Sequence, residues 1–150
     1  MRVFIQRVSE ASVTIEGTVC GSIATGILVL LGIEHDDSFE DIEWLVNKMV
    51  NLRIFSDEEG KMNRAIGEVN GDFLVVSQFT LHASTKKGNR PNYVRSARPE
   101  LAIPLYEQFV HHLQKAATGK VETGQFGADM KVALVNDGPV TIWMDSKLRE

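Results

Sequence analysis

One cysteine, Cys20, among 150 residues cannot form an internal disulfide, so packing and hydrogen bonds must hold the chain together, as suits a reducing compartment. No basic neighbour in sequence activates Cys20, which is expected to be a small core residue of a strand, not a nucleophile. Long apolar runs are missing too. No stretch approaches the roughly 20 residues needed to cross a membrane, and Met1-Arg2-Val3-Phe4 enters a strand pattern directly instead of a signal peptide, so the expectation is a cytosolic protein with no membrane partner. Positive charge is scarce overall: 16 Lys and Arg against 20 Asp and Glu give a net charge of -4, so any contact with nucleic acid must come from a local basic patch. There is no G-x-G-x-x-G, Walker motif, C-x-x-C, H-E-x-x-H or G-x-S-x-G, which removes the common nucleotide, zinc and serine-hydrolase chemistries. No cofactor and no metal are expected. Glu34, His35, Asp36 and Asp37 form an acidic loop, but four successive residues cannot all converge on one ion, and helix-end charges are the expected role.

What is present is an ordinary globule, 43% hydrophobic and 24% charged, expected to be a single domain over residues 1–150. Arg2 to Val8 alternates as a strand, placing Arg7 on the face of Val3 and Ile5, where its guanidinium needs an acceptor. Ala11 to Ile15 and Thr18 to Ile23 flank a Glu16-Gly17 hairpin turn, with Gly21 a bulge. Ile27 to Ile33 is apolar enough for a central, doubly covered strand. Ser38 with Asp41 three residues on reads as a capping box, and Phe39, Ile42, Leu45, Val46, Met49 and Val50 recur at helical spacing as far as Asn51. Leu52 to Phe55 is a short strand, Ser56 to Gly60 an acidic turn and Lys61 to Asn70 irregular. A second helix opens at Pro99 with Leu101, Leu105, Phe109 and Leu113 aligned, although Pro104 demands a kink or a later start. Strands at Val121 to Thr123, Met130 to Val135 and Val140 to Met144 follow, the last two separated by a tight turn at Asn136 to Pro139. Seven or eight short strands and two main helices predict an α+β fold with antiparallel or mixed sheets.

The stretch around which the rest is organised is Gly71 to Leu81. Phe73 to Val76 reads as a buried strand, and with period two Phe73, Val75, Ser77, Phe79 and Leu81 share one face and Leu74, Val76, Gln78 and Thr80 the other. The second face turns from apolar to polar in one step. Unpartnered buried amides and hydroxyls are costly, so the strand end either surfaces or lines a cleft. Ser77, Gln78, Thr80 and the backbone N–H groups around Phe79 supply uncharged donors suited to an ester carbonyl becoming an oxyanion. Directly after it, His82 to Pro99 carries Lys86, Lys87, Arg90, Arg95 and Arg98 without one acid, which reads as a phosphate-contacting surface or as a solvated loop paired with acidic loops elsewhere.

The motifs Ser77-Gln78-Phe79-Thr80-Leu81, Asn136-Asp137-Gly138-Pro139-Val140-Thr141 and Lys87-Gly88-Asn89-Arg90-Pro91, with the opening Gln6 to Gly17, make nearly the whole chain, Met1 to about Asp145, resemble the D-aminoacyl-tRNA deacylases. The resemblance implies a barrel-like fold and hydrolysis of the ester joining a D-amino acid to the 3′ end of tRNA, with the ribose 2′-hydroxyl assisting. Carried over by motif, Gln78, Phe79 and Thr80 are the catalytic frame and Ser77 contacts substrate. Gly138 and Pro139, joined by a cis bond, contact the amino acid from a partner subunit, and Arg7 holds them. Ala102, Phe126 and Met130 are further pocket residues. The implied partners are D-aminoacyl-tRNA, with Lys86, Lys87 and Arg90 on the tRNA, and a second copy of the chain in a homodimer.

Two other readings stay open on the residues alone. Thr80 is a candidate covalent nucleophile, with His82 two along the same strand face as its nearest base. A non-enzymatic nucleic-acid-binding dimer on the same fold is the other.

Overall fold

The computed structural model describes residues 1–150. In chain order it has β1 (Arg2–Ile15), β2 (Thr18–Ile23), β3 (Gly26–Gly32), α1 (Phe39–Asn51), β4 (Phe55–Ser56), β5 (Met62–Arg64), β6 (Asp72–Ser77), α2 (Pro99–Ala116), β7 (Val121–Thr123) and β8 (Lys131–Asp145), with 3₁₀ turns at Ile66–Val69 and Phe79–His82. The fold is α+β with a mixed sheet, as expected. Six strands form the main sheet in the order β2-β1-β3-β6-β7, with β8 also on β1, and β4 pairs with β5 apart from it. β1 is antiparallel to β2, β3 and β8, whereas β3 to β6 and β6 to β7 run parallel. The sheet curls almost shut: a Cβ on Gly21 in β2 would sit 2.7 Å from the Thr123 carbonyl oxygen in β7, so only glycine permits that approach.

The apolar pattern explains the layers. On β3 and β6, Ile27, Val29, Leu31, Phe73 and Val75 face the helices and pack with Ile42, Leu45 and Met49 of α1 and Leu105, Phe109 and Leu113 of α2. The alternate residues Leu28, Leu74 and Val76 join Val8, Val13 and Ile23 inside the barrel. A strand buried on both faces has no reason to alternate, and Ile27 to Ile33 does not. α1 starts where Asp41 reaches back to accept from the Ser38 N–H at 2.7 Å.

Several expectations are corrected. Arg2 to Ile15 is one strand, because β8 pairs with both halves of it and bridges the polar Ser9-Glu10 step. Asn136 to Pro139 is not a turn between strands; β8 runs through it, bulging so that Asp137 to Val140 lie opposite Arg7 alone. Gln78 to Leu81 leaves the strand, which ends at Ser77. α2 begins at Pro99 with Pro104 inside it, on the exposed face of the helix, where the carbonyl it leaves without a helical donor is open to solvent. Ala102 points inward in α2, while Leu101 is exposed, as is Phe39 in α1. The strand expected at Leu52 to Phe55 is Phe55–Ser56, and Lys61 to Asn70 contains β5 and a 3₁₀ turn. Cys20 is exposed, because a register shift opposite Val13 and Thr14 turns it out of β2 beside Gly21. No helix is long and apolar enough to cross a membrane.

Asp41 ties this frame to pH. Burial pushes its carboxyl up, but hydrogen bonds from the Ser146 hydroxyl, the Ser38 N–H and Lys147 outweigh burial and hold it at about 2. A folded-state pKa below the unfolded value means stability present at higher pH and lost as pH falls from about 4 through about 2. Denaturant titrations across that window are expected to show the wild type losing stability more steeply than Asp41→Asn, which has no proton to bind there.

Candidate active site

The site forms where β6 stops pairing with β3. The Gln78 N–H still donates to the Leu31 carbonyl at 2.8 Å, continuing the ladder one step. Then Leu81 donates back to Gln78 and Ala83 to Thr80, winding the chain into a 3₁₀ turn that swings away from the sheet. The gap left beside β3 and α2 is a cavity of about 260 Å³. Ser77, Gln78 and Phe79 form one side, Ala102 of α2 another, and Phe126 and Met130 from the segment before β8 a third. Leu31, Ile33, Val76, Ala97, Gly127, Ala128 and Val132 complete it, so none of its lining residues is charged. Of the residues singled out in sequence, six therefore meet here. Leu31 and Ile33, at the end of the apolar run, and Ala97, which carries no sequence signal, were not singled out.

Behind the lining, the wall is braced. The Tyr106 ring stands edge-on to Phe126 with centroids 5.7 Å apart, and its hydroxyl donates to the Val75 carbonyl at 3.1 Å. Burial pushes that hydroxyl's pKa up to about 12, so it remains a donor at any physiological pH.

As the residues opening a 3₁₀ turn, Phe79 and Thr80 have N–H groups with no intrahelical partner. The Gln78 side-chain amide donates to the Thr80 hydroxyl oxygen. His82 is not on a shared face with Thr80: at three residues per turn, positions two apart point about 120° away from each other. His82 is buried, only 1% exposed, with Nδ1 3.2 Å from Glu34 Oε1, and burial lowers its pKa. Thr80 therefore has no base beside it.

Gly138 and Pro139 lie in the β8 bulge, both exposed and joined by a cis bond. Gly138 has φ +142, and a Cβ there would come within 2.8 Å of Val140, so no other residue fits. Arg7 faces the bulge: its Nε donates to the Asp137 carbonyl at 2.9 Å and its Nη1 to the Ile54 carbonyl at 2.6 Å. The pair does not line this chain's own cavity. Arg7 pairs with Ile27, four residues or about 13 Å along β3 from Leu31 at the cavity.

Lys86, Lys87 and Arg90 are exposed on a loop closed at its base by reciprocal Ser84 and Asn92 backbone hydrogen bonds of 2.7 and 2.9 Å. Arg95 differs from them, because its guanidinium meets Glu34 Oε1 at 2.5 Å. In the acidic loop the carboxylate oxygens of Glu34, Asp36 and Asp37 come within 4.8 Å of one another, three of the four residues and without His35. Arg95 already holds Glu34, and the Glu34 N–H and the Met1 amine hold Asp37.

Comparison with known proteins agrees over the full length. The family model described as D-Tyr-tRNA(Tyr) deacylase matches residues 4–145. A D-aminoacyl-tRNA deacylase of Bacteroides fragilis is 62% identical over 150 residues, all of both chains, and one of Akkermansia muciniphila 60% identical over the same span. Among solved structures, the c-Myc DNA Unwinding Element Binding Protein superposes with a TM-score of 0.92 at 40% identity, covering 97% of this chain and 98% of that one. A probable eukaryotic D-amino acid tRNA deacylase superposes at 0.80 with 18% identity over 95% and 97%, a likeness of fold alone. The uncharged cavity at the end of β6, its Ser77-Gln78-Phe79 edge and these matches lead to one statement: the chain belongs to the D-Tyr-tRNA(Tyr) deacylase family.

Proposed function

We propose that this chain hydrolyses the ester bond of D-aminoacyl-tRNA, releasing tRNA and the free D-amino acid. The observation that carries this reading is the cavity's chemistry: hydrogen-bond donors along its Ser77-Gln78-Phe79 edge, with Thr80 next in the same turn, apolar walls and no acid or base among the lining residues. An aminoacyl ester is already activated, so such a site needs only to hold it and stabilise charge. Water adds to the carbonyl carbon as it gives up a proton, the carbonyl oxygen becomes an oxyanion facing the Phe79 and Thr80 N–H groups, and collapse breaks the ester C–O bond, the ribose oxygen taking up a proton as it leaves. The substrate's own 2′-hydroxyl assists the water, since no side chain is placed to do so. Ser77 and Gln78 orient the ester, while Ala102, Phe126 and Met130 hold the terminal nucleoside.

Chirality needs a wall in the direction of an L side chain. Gly138-Pro139 suits the part, as exposed backbone held from behind by Arg7. Since the pair lies outside its own cavity, it bounds a site only by entering that of a second copy, which makes the working unit a homodimer with composite sites. The exposed Trp143 on β8 gives such a dimer apolar surface to bury. A wall of this kind cannot exclude glycine, so glycyl-tRNA is a slow side substrate. Lys86, Lys87 and Arg90 contact acceptor-end phosphates, and the reaction belongs in the cytoplasm, where aminoacyl-tRNA is found.

With purified protein, D-tyrosyl-tRNA is expected to lose its ester at least about a hundredfold faster than L-tyrosyl-tRNA. Survival of both esters would refute the enzyme, and equal loss would refute the wall. Thr80→Ala should keep kcat within about tenfold of wild type, whereas a covalent nucleophile would lose a thousandfold or about that and leave a trappable acyl-Thr80. Charge reversal at Lys86, Lys87 and Arg90 together should flatten the dependence of log affinity on log salt by about one unit for each phosphate no longer neutralised, with D over L preference unchanged.

A further inference from the structure

The return limb of the basic loop, Tyr93 to Ala97, is fastened across the mouth of the cavity at several points. The Ser96 hydroxyl donates to the Phe79 carbonyl at 2.9 Å, and the Ala97 N–H donates to the Ile33 carbonyl at 2.9 Å. Arg95 is anchored on Glu34, a carboxylate only 5% exposed that rests in turn on buried His82. An ion pair with one partner buried resists solvent screening better than a surface pair. The limb is thus held rigid although most of it is exposed.

What this limb presents is unusual for a fastened segment. The Tyr93 ring stands edge-on to Phe79 with centroids 5.0 Å apart, and both are open to solvent, 37% and 57% exposed. Lys86, Lys87, Arg90 and Arg98 belong to the same segment, all exposed and none in an ion pair, and no acid occurs between His82 and Pro99. Arg95 has its charge satisfied by Glu34 and serves the anchoring instead. Exposed aromatic rings on a preorganised support amid unpaired cations form the surface on which single-stranded nucleic acid stacks its bases while its phosphates are neutralised.

We propose that Tyr93 is a stacking seat for the unpaired nucleotides immediately preceding the terminal nucleoside of the substrate. This rests on the deacylase reading and adds a binding residue to it. A terminal nucleoside in a cavity of about 260 Å³ leaves its predecessors outside, over the mouth edged by Phe79. There the Tyr93 ring offers a π-face to any base, and Lys86, Lys87 and Arg90 flank the departing backbone. Stacking is tolerant of sequence, so the seat serves the common acceptor end of all tRNAs.

The test compares wild type, Tyr93→Ala and Tyr93→Trp by direct titration with the uncharged trinucleotide CCA and with adenosine, and by kinetics on D-tyrosyl-tRNA. Tyr93→Ala is expected to weaken CCA binding about tenfold and raise KM for the tRNA equally, with adenosine binding and kcat within about twofold of wild type. Tyr93→Trp should restore both, and the salt slope should stay unchanged, unlike that of the charge-reversed loop. Equal weakening of adenosine and CCA would show that Tyr93 merely props Phe79 and would overturn the proposal. So would unaltered CCA binding, or a wild type that binds CCA no better than adenosine. Failure of the wild type to cleave D-tyrosyl-tRNA would refute the deacylase reading separately, because the trinucleotide titration needs no turnover.

Discussion

The parallel pairing of β3 with β6 is the constraint on which the rest of the molecule depends. Both strands are covered on two faces, by the helices on one side and the barrel interior on the other. Their backbone groups have no access to water and must pair with each other. That pairing extends to Ser77 and the Gln78 N–H and then stops, because the chain has turned into a 3₁₀ helix. The end of a fully satisfied central strand is a place where backbone donors can turn toward a ligand at little cost to the core. The cavity, the free N–H groups and the polar edge of the site all follow from this one termination.

A second consequence concerns precision. The Ser77 to Thr80 edge is a short turn, and short turns held only by their own hydrogen bonds are mobile. Here it is gripped from several sides: by Leu31 through the strand ladder, by Ser96 at the Phe79 carbonyl, and by Arg2, which donates to the Leu81 carbonyl at 3.1 Å. Tyr106 does the same for the opposite wall through Phe126. A site without a strong acid, base or nucleophile has only geometry to offer, and these restraints supply it.

The Gly138-Pro139 bulge follows the same logic at a different place. β1 and β8 are long enough to pair along their whole length, yet four residues of β8 are squeezed out opposite Arg7. The guanidinium occupies the gap and satisfies the Asp137 and Ile54 carbonyls, which would otherwise be left unpaired. The bulge is thereby a projecting piece of backbone with a buried cation behind it, far better suited to exclusion than a side chain able to rotate away.

The sequence by itself determined the layers and the point where the core gives way to the cavity. Helical and strand periodicity identify α1, α2 and the doubly buried β3, and the change from Phe73-Leu74-Val75-Val76 to Ser77-Gln78 marks where the core ends, because burial free energy acts residue by residue along the chain. Motif resemblance supplied Phe126, Met130 and Gly138-Pro139, which periodicity could not. Only the tertiary structure decided that Ser77 is the last strand residue, that Asn136 to Pro139 is a bulge and not a turn, that Cys20 faces solvent, and that Arg95 pairs with Glu34. Each of these depends on a partner distant in the chain: Leu31 for Gln78, Arg7 for Asp137, the shifted Val13 register for Cys20, and Glu34 for Arg95. Local sequence carries the propensity to form a strand or a turn, but the choice between them is made by the long-range hydrogen bonds and ion pairs that exist only once the chain has folded.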